Sequence, residues 1–253
     1  MVELSIVMPA YNEDARIYRN LMETINQVER FCDSFRIIVV DDGSSDGTAS
    51  EVKRAMAADK RIGLISYPDN KGKGYAVRRG MLTAKSKYVA FLDVDLELPP
   101  YLLRGFLDRL KNDKNVDIVI GSKMHKDSQV EYPLLRKIYS YGYYFGVKTL
   151  FRMNLKDTQT GIKLFKTEQI IPVLKLMHTN SYSFDIEMLA IASKMGLNIV
   201  EMPVVVNFSR NKQEKSRIRF SNIFGMMIDS IKTKFYVGKI SKNMIGGSSD
   251  AKE

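Results

Sequence analysis

Five short apolar runs, at residues 4–8, 36–40, 62–67, 88–92 and 116–121, alternate with stretches of helical periodicity through the first half of the chain. No other feature restricts the fold as much. Runs that read as buried on both faces, separated by amphipathic helices, specify an α/β fold with a mainly parallel sheet covered on both sides. Ile17, Leu21, Ile25, Val28 and Cys32 mark one helix face. Asp46 is placed to cap a second helix that runs to about residue 58. Two more helices are predicted at 74–85 and 101–110, and Pro9 closes the first strand. In such sheets ligands collect beyond the carboxyl ends of the strands. The polar motifs of this chain stand at those ends.

The fourth run leads into Asp93-Val94-Asp95-Leu96-Glu97 and is stopped by Pro99-Pro100. Ionised neighbours repel, and near a strand end each loses some solvent. A hard divalent cation, Mg²⁺ or Mn²⁺, removes that penalty and usually shares its shell with substrate phosphates. The structural alternative is a solvated acidic loop. Pro9-Ala10-Tyr11-Asn12-Glu13 leaves the first strand with an aromatic face and a carboxylate, suited to a base or ribose. Asp41 and Asp42 follow the second strand, where a carboxylate can accept from a base N–H or a ribose hydroxyl. The same residues read equally as a turn before a helix cap. Asn70-Lys71-Gly72-Lys73-Gly74 precedes a helix, and its glycines and lysines suit close approach to phosphate, although it lacks the Walker pattern.

The composition is globular, with 45% hydrophobic and 27% charged residues among 253. A single cysteine, Cys32, excludes an intrachain disulfide and fits a reducing compartment. Met1-Val2-Glu3 leads directly into a strand-like run, without a secretory signal pattern, and no apolar run approaches the ~18–20 residues a membrane span needs. The expectation is a cytoplasmic chain, peripheral on the cytoplasmic face of a membrane. From Arg210 onward ten Lys/Arg stand against four Asp/Glu, so that stretch carries +6 of the net +10. Such a surface suits phosphates, whether of nucleic acid, anionic membrane or substrate. No nucleic-acid recognition motif accompanies the charge, so nucleic acid is not expected as a partner.

Taken together in their order, Ser5 to Glu13, Val40 to Thr48, Lys71 to Gly74 and Asp93-Val94-Asp95 resemble an inverting family 2 glycosyltransferase of GT-A type. Gly121-Ser122-Lys123, Asp157-Thr158-Gln159-Thr160-Gly161-Ile162-Lys163 and Phe184-Asp185-Ile186-Glu187 narrow the likeness to polyprenyl-phosphate sugar synthases. The pattern is nearest to the dolichyl-phosphate glucosyltransferase branch, with mannose synthases next. The resemblance spans about residues 4–220. It implies that Pro9, Ala10, Tyr11, Asn12, Glu13, Asp41, Asp42 and Lys73 cradle the nucleotide. Asp93, with Val94 beside it, would face the ribose and donor sugar. Asp95 and Glu97 would hold Mg²⁺ or Mn²⁺ on the diphosphate, although mannose synthases often carry another polar residue at the Glu97 position. Asp157 and Gln159 would lie by the sugar or catalytic centre, with Asp185 and Glu187 shaping the same cleft.

On the acceptor side the resemblance implies that Lys123, where relatives usually carry arginine, and Arg136 hold an acceptor phosphate. Lysine keeps the charge but lacks the bidentate fork. Glu214-Lys215-Ser216-Arg217 loosely resembles a family loop that closes over the diphosphate, through Lys215 and Arg217. Residues 1–210 would be the catalytic domain, with a nucleotide half to about residue 122 and an acceptor half after it. Residues 211–253 would be a basic loop, an amphipathic helix and a flexible tail. The stripes at 134–152 and 218–237 mix aromatic, aliphatic and basic residues, which suits an anionic membrane surface or packing on the core. The expected reaction is inverting, metal-dependent hexose transfer from a nucleotide-sugar, UDP-glucose or GDP-mannose, to polyprenyl or dolichyl phosphate. A saccharide acceptor would need a base, for which Asp185 or Asp157 are candidates. A binding module without turnover is the rival from another class.

Overall fold

The computed structural model describes residues 2–130, 148–151, 153–181, 183–206 and 220–240, and for 220–228 it describes the backbone. The five expected strands form as β1 (Val2–Ala10), β2 (Phe35–Asp42), β3 (Ile62–Tyr67), β4 (Ser86–Leu92) and β5 (Ile118–Ser122). Between them lie α1 (Ile17–Val28), α2 (Thr48–Ala58), α3 (Lys73–Thr83) and α4 (Leu102–Asn112). The second half adds β6 (Ile162–Lys166), α5 (Thr167–Leu176), α6 (Phe184–Lys194), β7 (Ile199–Pro203) and α7 (Phe220–Lys239). All seven strands make one sheet in the order β3-β2-β1-β4-β6-β5-β7.

Neighbouring pairs are parallel except where β6 lies between β4 and β5, antiparallel to both. That reversal positions the site. A strand running the other way begins at the edge where the others end, so the residues just before β6 join the carboxyl ends of β1, β2, β4 and β5. The register Leu92↔Ile162 fixes the meeting point. β7, parallel to β5, ends at the same edge.

Alternate residues of the central strands feed two cores. Leu4, Ile6 and Met8 of β1 face α1, α2 and α4, while Val7 faces α3 and the helices of the second half. All five residues of the α1 stripe, Ile17, Leu21, Ile25, Val28 and Cys32, are buried as the 3.6-residue period requires. β1 continues through Pro9 to Ala10, beyond its expected stop. The Leu4 N–H points to β2, so by alternation the Pro9 nitrogen faces β4, with which pairing has already ended at Val7↔Phe91; no ladder bond is lost and proline is tolerated. Asp46 sits one residue before the helix cap, which is Gly47; its Oδ1 still accepts the Thr48 N–H (2.9 Å).

α7 lies against α6, with Val237 and Ile240 buried in the second core. Tyr236 donates to the Leu176 carbonyl (2.6 Å) and stacks on His178 with ring centroids 3.6 Å apart. Among the described residues no helix is long and apolar enough to cross a membrane.

Candidate active site

The loops after β1 and β2 are laced together. Asn12 takes a left-handed conformation (φ 54°); its N–H donates to Ser44 Oγ and its Oδ1 accepts from the Ser45 N–H. Tyr11 beside it is 46% exposed, an open aromatic face at the sheet edge. Pro9, Ala10 and Glu13 are buried. The Glu13 N–H reaches Thr48 Oγ1 (2.7 Å), and its carboxylate pairs with Arg16. Asp41, still within β2, fastens the turn that follows: its oxygens accept from the Ser44 N–H (3.1 Å) and the Ser66 hydroxyl (3.0 Å).

Asp42 has a structural task that sequence reading does not include. Its Oδ1 accepts from the Tyr67 hydroxyl (2.7 Å) and the Lys71 N–H (2.9 Å), and its Oδ2 from the Gly72 N–H (2.9 Å). It therefore fastens the loop that delivers Lys73 to the start of α3. Burial, then the bond to Asp42, pushes the Tyr67 phenol well above its usual range. Gly43 and Gly72 both have positive φ (69° and 97°), and a side chain at Gly72 would strike the Asn180 carbonyl at 2.4 Å. Only glycine fits there.

After β4 the chain alternates. Val94, Leu96 and Leu98 are buried, while Asp93, Asp95 and Glu97 stay partly exposed at the edge. Leu96 achieves this with φ 54°, which costs a non-glycine residue ~1–2 kcal/mol. Burying its side chain contributes about 1.5–3 kcal/mol in return. The Asn20 amide holds the turn through the Val94 carbonyl (2.8 Å).

The three carboxylates meet different partners. Asp93 pairs with Lys73 (2.6 Å) and Glu97 with Lys123 (2.7 Å). Asp95 accepts the Glu97 N–H (3.0 Å), and no side-chain cation stands in contact with it among the described residues. Burial, then the Asp93 charge, pushes the Asp95 carboxyl up to about 6; Glu97 adds to this and Lys73 opposes it. The cluster is short of positive charge and offers hard oxygen donors, so it fits a divalent cation such as Mg²⁺ or Mn²⁺. Among the described residues no three His, Cys, Asp or Glu side chains gather in ligating geometry. Asp95 and Glu97 would thus supply part of a shell completed by other oxygens.

The segment before β6 lies against this cluster. The Asp93 N–H donates to the Gly161 carbonyl (2.9 Å), and a Cβ on Gly161 would stand 2.1 Å from Asp93 Oδ2. Asp157 accepts the Lys123 N–H (2.9 Å) and the Gln159 N–H (3.2 Å), while Glu201 accepts the Asp157 N–H (2.9 Å). Lys123 therefore connects the acidic cluster to the Asp157 loop. Lys163, fully buried on β6, pairs with Asp185 (2.6 Å), and Asp185 is buried with it. Burial pushes the Asp185 carboxyl upward against the pull of Lys163 and Lys73. Burial works against the Lys73 charge, yet Asp93 and then Asp185 hold its pKa above the usual value.

Glu187, expected to help shape the cleft, is engaged with the turn before α6. It is fully buried and accepts from the Thr179 N–H (2.8 Å) and both the backbone and ring of His178, so it fixes the 178–179 turn. Sequence reasoning missed Lys163 and Glu201 as site-ordering residues. The signal for Lys163 was a single charge inside the apolar run Ile162, Leu164, Phe165. Arg136, Lys215 and Arg217 lie outside the described residues, as does most of the 134–152 stripe. On α7, Ile231 (46%) and Phe235 (69%) are exposed, with Lys232 between them.

Known proteins resemble this chain in sequence and in fold. The family described as "Glycosyl transferase family 2" matches residues 5–171. A dolichyl-phosphate beta-glucosyltransferase of Dictyostelium discoideum is 33% identical over 92% of this chain and 74% of its own length. The enzyme of that name from Saccharomyces cerevisiae is 30% identical over 79% of this chain and 66% of its own. Among solved structures, glucosyl-3-phosphoglycerate synthase from Mycobacterium tuberculosis, crystallised with Mn²⁺, uridine diphosphate and glucosyl-3-phosphoglycerate, superposes with a TM-score of 0.68. It covers 96% of this chain and 82% of that one at 18% identity, a likeness of fold.

Proposed function

This chain belongs to glycosyltransferase family 2 and has the GT-A fold, and we propose that it transfers glucose from UDP-glucose to a polyprenyl or dolichyl phosphate with inversion. One observation carries the reading: the acidic cluster Asp93/Asp95/Glu97 and the cation Lys123 meet at one edge of the sheet, bridged by the Asp157 loop. A diphosphate donor with its cation belongs on the acidic side, and an acceptor phosphate beside Lys123. The relatives named for dolichyl phosphate and glucose support the choice of substrates. In this reading residues up to about 122 form the donor half and those after it the acceptor half.

The acceptor oxygen attacks the anomeric carbon in line with the leaving group. A new carbon–oxygen bond forms as the bond to the diphosphate breaks, and the electron pair leaves on the nucleoside diphosphate. No proton has to move, because a phosphomonoester with a second pKa of about 6 is largely ionised at pH 7. Pro9, Ala10, Tyr11 and Asn12 line the base and ribose. Asp42 holds the loop that brings Lys73 to the diphosphate, and Asp93 and Gln159 border the sugar. Arg136, Lys215 and Arg217 keep their proposed roles toward acceptor phosphate and diphosphate. Asp95 and Glu97 would hold Mg²⁺ or Mn²⁺, which supplies positive charge to the departing diphosphate. α7 rests on an anionic bilayer through Ile231 and Phe235, flanked by Lys232, which makes the protein peripheral to the membrane of its acceptor.

The test is turnover with UDP-glucose and a short polyprenyl phosphate, with GDP-mannose and a free saccharide run in parallel. Glucosyl transfer to the lipid phosphate is expected. Transfer from GDP-mannose alone would reassign the donor. Transfer to saccharide alone, or donor binding without turnover, would overturn the proposal.

A further inference from the structure

Lys163 is a charged side chain with no exposed surface in the middle of the sheet. A buried ion pair is weak support for stability, since well-packed apolar residues often replace one without loss. Its purpose is better sought in what it touches. The ammonium donates to Asp185 Oδ1 (2.6 Å) and to the Thr160 carbonyl (2.6 Å), and it lies 5.4 Å from the centre of the Phe91 ring. Its donors are thus committed in fixed directions. The next residue after Thr160 is Gly161, whose carbonyl receives the Asp93 N–H and whose Cα leaves no room beside the Asp93 carboxylate. Asp93 in turn pairs with Lys73 (2.6 Å), which shares the Phe91 ring with Lys163 at 5.3 Å. Two ion pairs, Lys163–Asp185 and Lys73–Asp93, thus flank the same Phe91 ring.

We propose that Lys163 is a positioning residue for the donor: anchored on Asp185, it holds the Thr160 carbonyl and thereby sets the Gly161 backbone against which Asp93 and Lys73 are placed. Asp185 is then a countercharge inside the fold, and its carboxylate does not touch substrate. This inference rests on the reading that Asp93 and Lys73 face the donor.

The test compares the parent with Lys163→Met/Asp185→Asn, in which both charges of the pair are removed together. Melting temperature and the kcat and KM for UDP-glucose and for polyprenyl phosphate are measured on each. Expected are a melting temperature close to the parent's and a fall in kcat/KM for the donor of roughly 10- to 100-fold, the scale of a small misplacement. The acceptor KM should not move. Lys163→Gln/Asp185→Asn, two uncharged amides of near-native size, serves if the first pair does not fold, with the same donor-selective loss expected. Parent-like kinetics in a folded neutral pair, or equal losses for both substrates, would overturn the inference. Lys73→Met separates it from the functional reading. Donor loss in Lys73→Met beside parent-like kinetics in the neutral pair refutes the inference alone. No donor loss in Lys73→Met refutes the donor assignment and the inference with it.

Discussion

Changing Asp95 to Asn should abolish turnover while making the metal-free protein more stable at neutral pH. The Asp95 carboxyl titrates at about 6 in the folded chain, against 3.8 for a free aspartate, chiefly through burial and then the Asp93 charge. A carboxyl with a raised pKa holds its proton more tightly when folded. Its ionisation therefore costs stability, and that cost grows as pH rises from about 4 to about 6 and is complete above it. At 1.36 kcal/mol per unit the shift corresponds to about 3 kcal/mol, and partial exposure reduces this to about 1–3 kcal/mol. Asparagine keeps an oxygen for the Glu97 N–H and carries no charge, so the variant escapes the cost. Urea unfolding of both proteins in chelator, from pH 4 to pH 8, measures it. The two should match near pH 4, and the variant should lead by pH 7.5. With Mg²⁺ or Mn²⁺ restored, the variant should show almost no transfer, because the cation has lost a charged ligand. A variant less stable than its parent at pH 7.5 would refute the electrostatic reasoning. Full parent activity in chelator would refute the metal dependence.

Gly161→Ala should fold yet lose kcat on the order of 10²-fold, because the added Cβ stands 2.1 Å from Asp93 Oδ2 and the carboxylate must move; steady-state kinetics beside a melting curve checks this. Lys123→Gln should lower kcat/KM for polyprenyl phosphate about 10- to 100-fold, the worth of a charge-assisted hydrogen bond, with nucleotide affinity nearly unchanged. Lys123→Arg should keep much of the activity; a collapse of nucleotide affinity in either variant would place the cation on the other substrate. Ile231→Ser/Phe235→Ser removes two exposed apolar side chains worth about 1.5–3 kcal/mol each, so partition onto anionic vesicles should fall at least on the order of 10²-fold at constant melting temperature. Unchanged vesicle binding would discard α7 as the contact.

The strands easiest to read from the chain are those whose apolar runs are uninterrupted. Residues 37–40 and 88–92 announce β2 and β4, whose side chains there are buried on both faces and show no polar alternation. β6 was missed for the opposite reason: Lys163 breaks its apolar run, and the partner that allows a lysine there, Asp185, lies 22 residues away. Asp93, Asp95 and Glu97 could be recognised as a group because they are neighbours in sequence. Their cations could not be paired with them, since Lys123 is 26 residues from Glu97 and only the sheet brings them together. The same limit hid the task of Asp42. Its type and place after β2 read as a ligand-facing acid, whereas its bonds to Tyr67, Lys71 and Gly72 depend on a loop that returns from β3.

The reversal of β6 explains why one edge of the sheet can carry two chemistries. A purely parallel sheet presents only strand ends on that side, each followed by a loop that turns away into a helix. Placing one antiparallel strand between β4 and β5 brings a strand's beginning to the same edge, so the 157–161 segment approaches from the opposite direction. The approach is close enough that Gly161 admits no side chain beside Asp93, and its loop reaches the Lys123 backbone through Asp157. An acidic group at the end of β4 and a basic residue after β5 are thereby brought together beside one loop, with Glu97 and Lys123 in direct contact (2.7 Å). Such a mixed-charge edge suits the proposed transfer, because a diphosphate and an acceptor phosphate repel each other and must still meet at one carbon. In the proposed reading a cation held by Asp95 and Glu97 would lower that repulsion on the donor side and Lys123 on the acceptor side, both carried on the ends of one sheet.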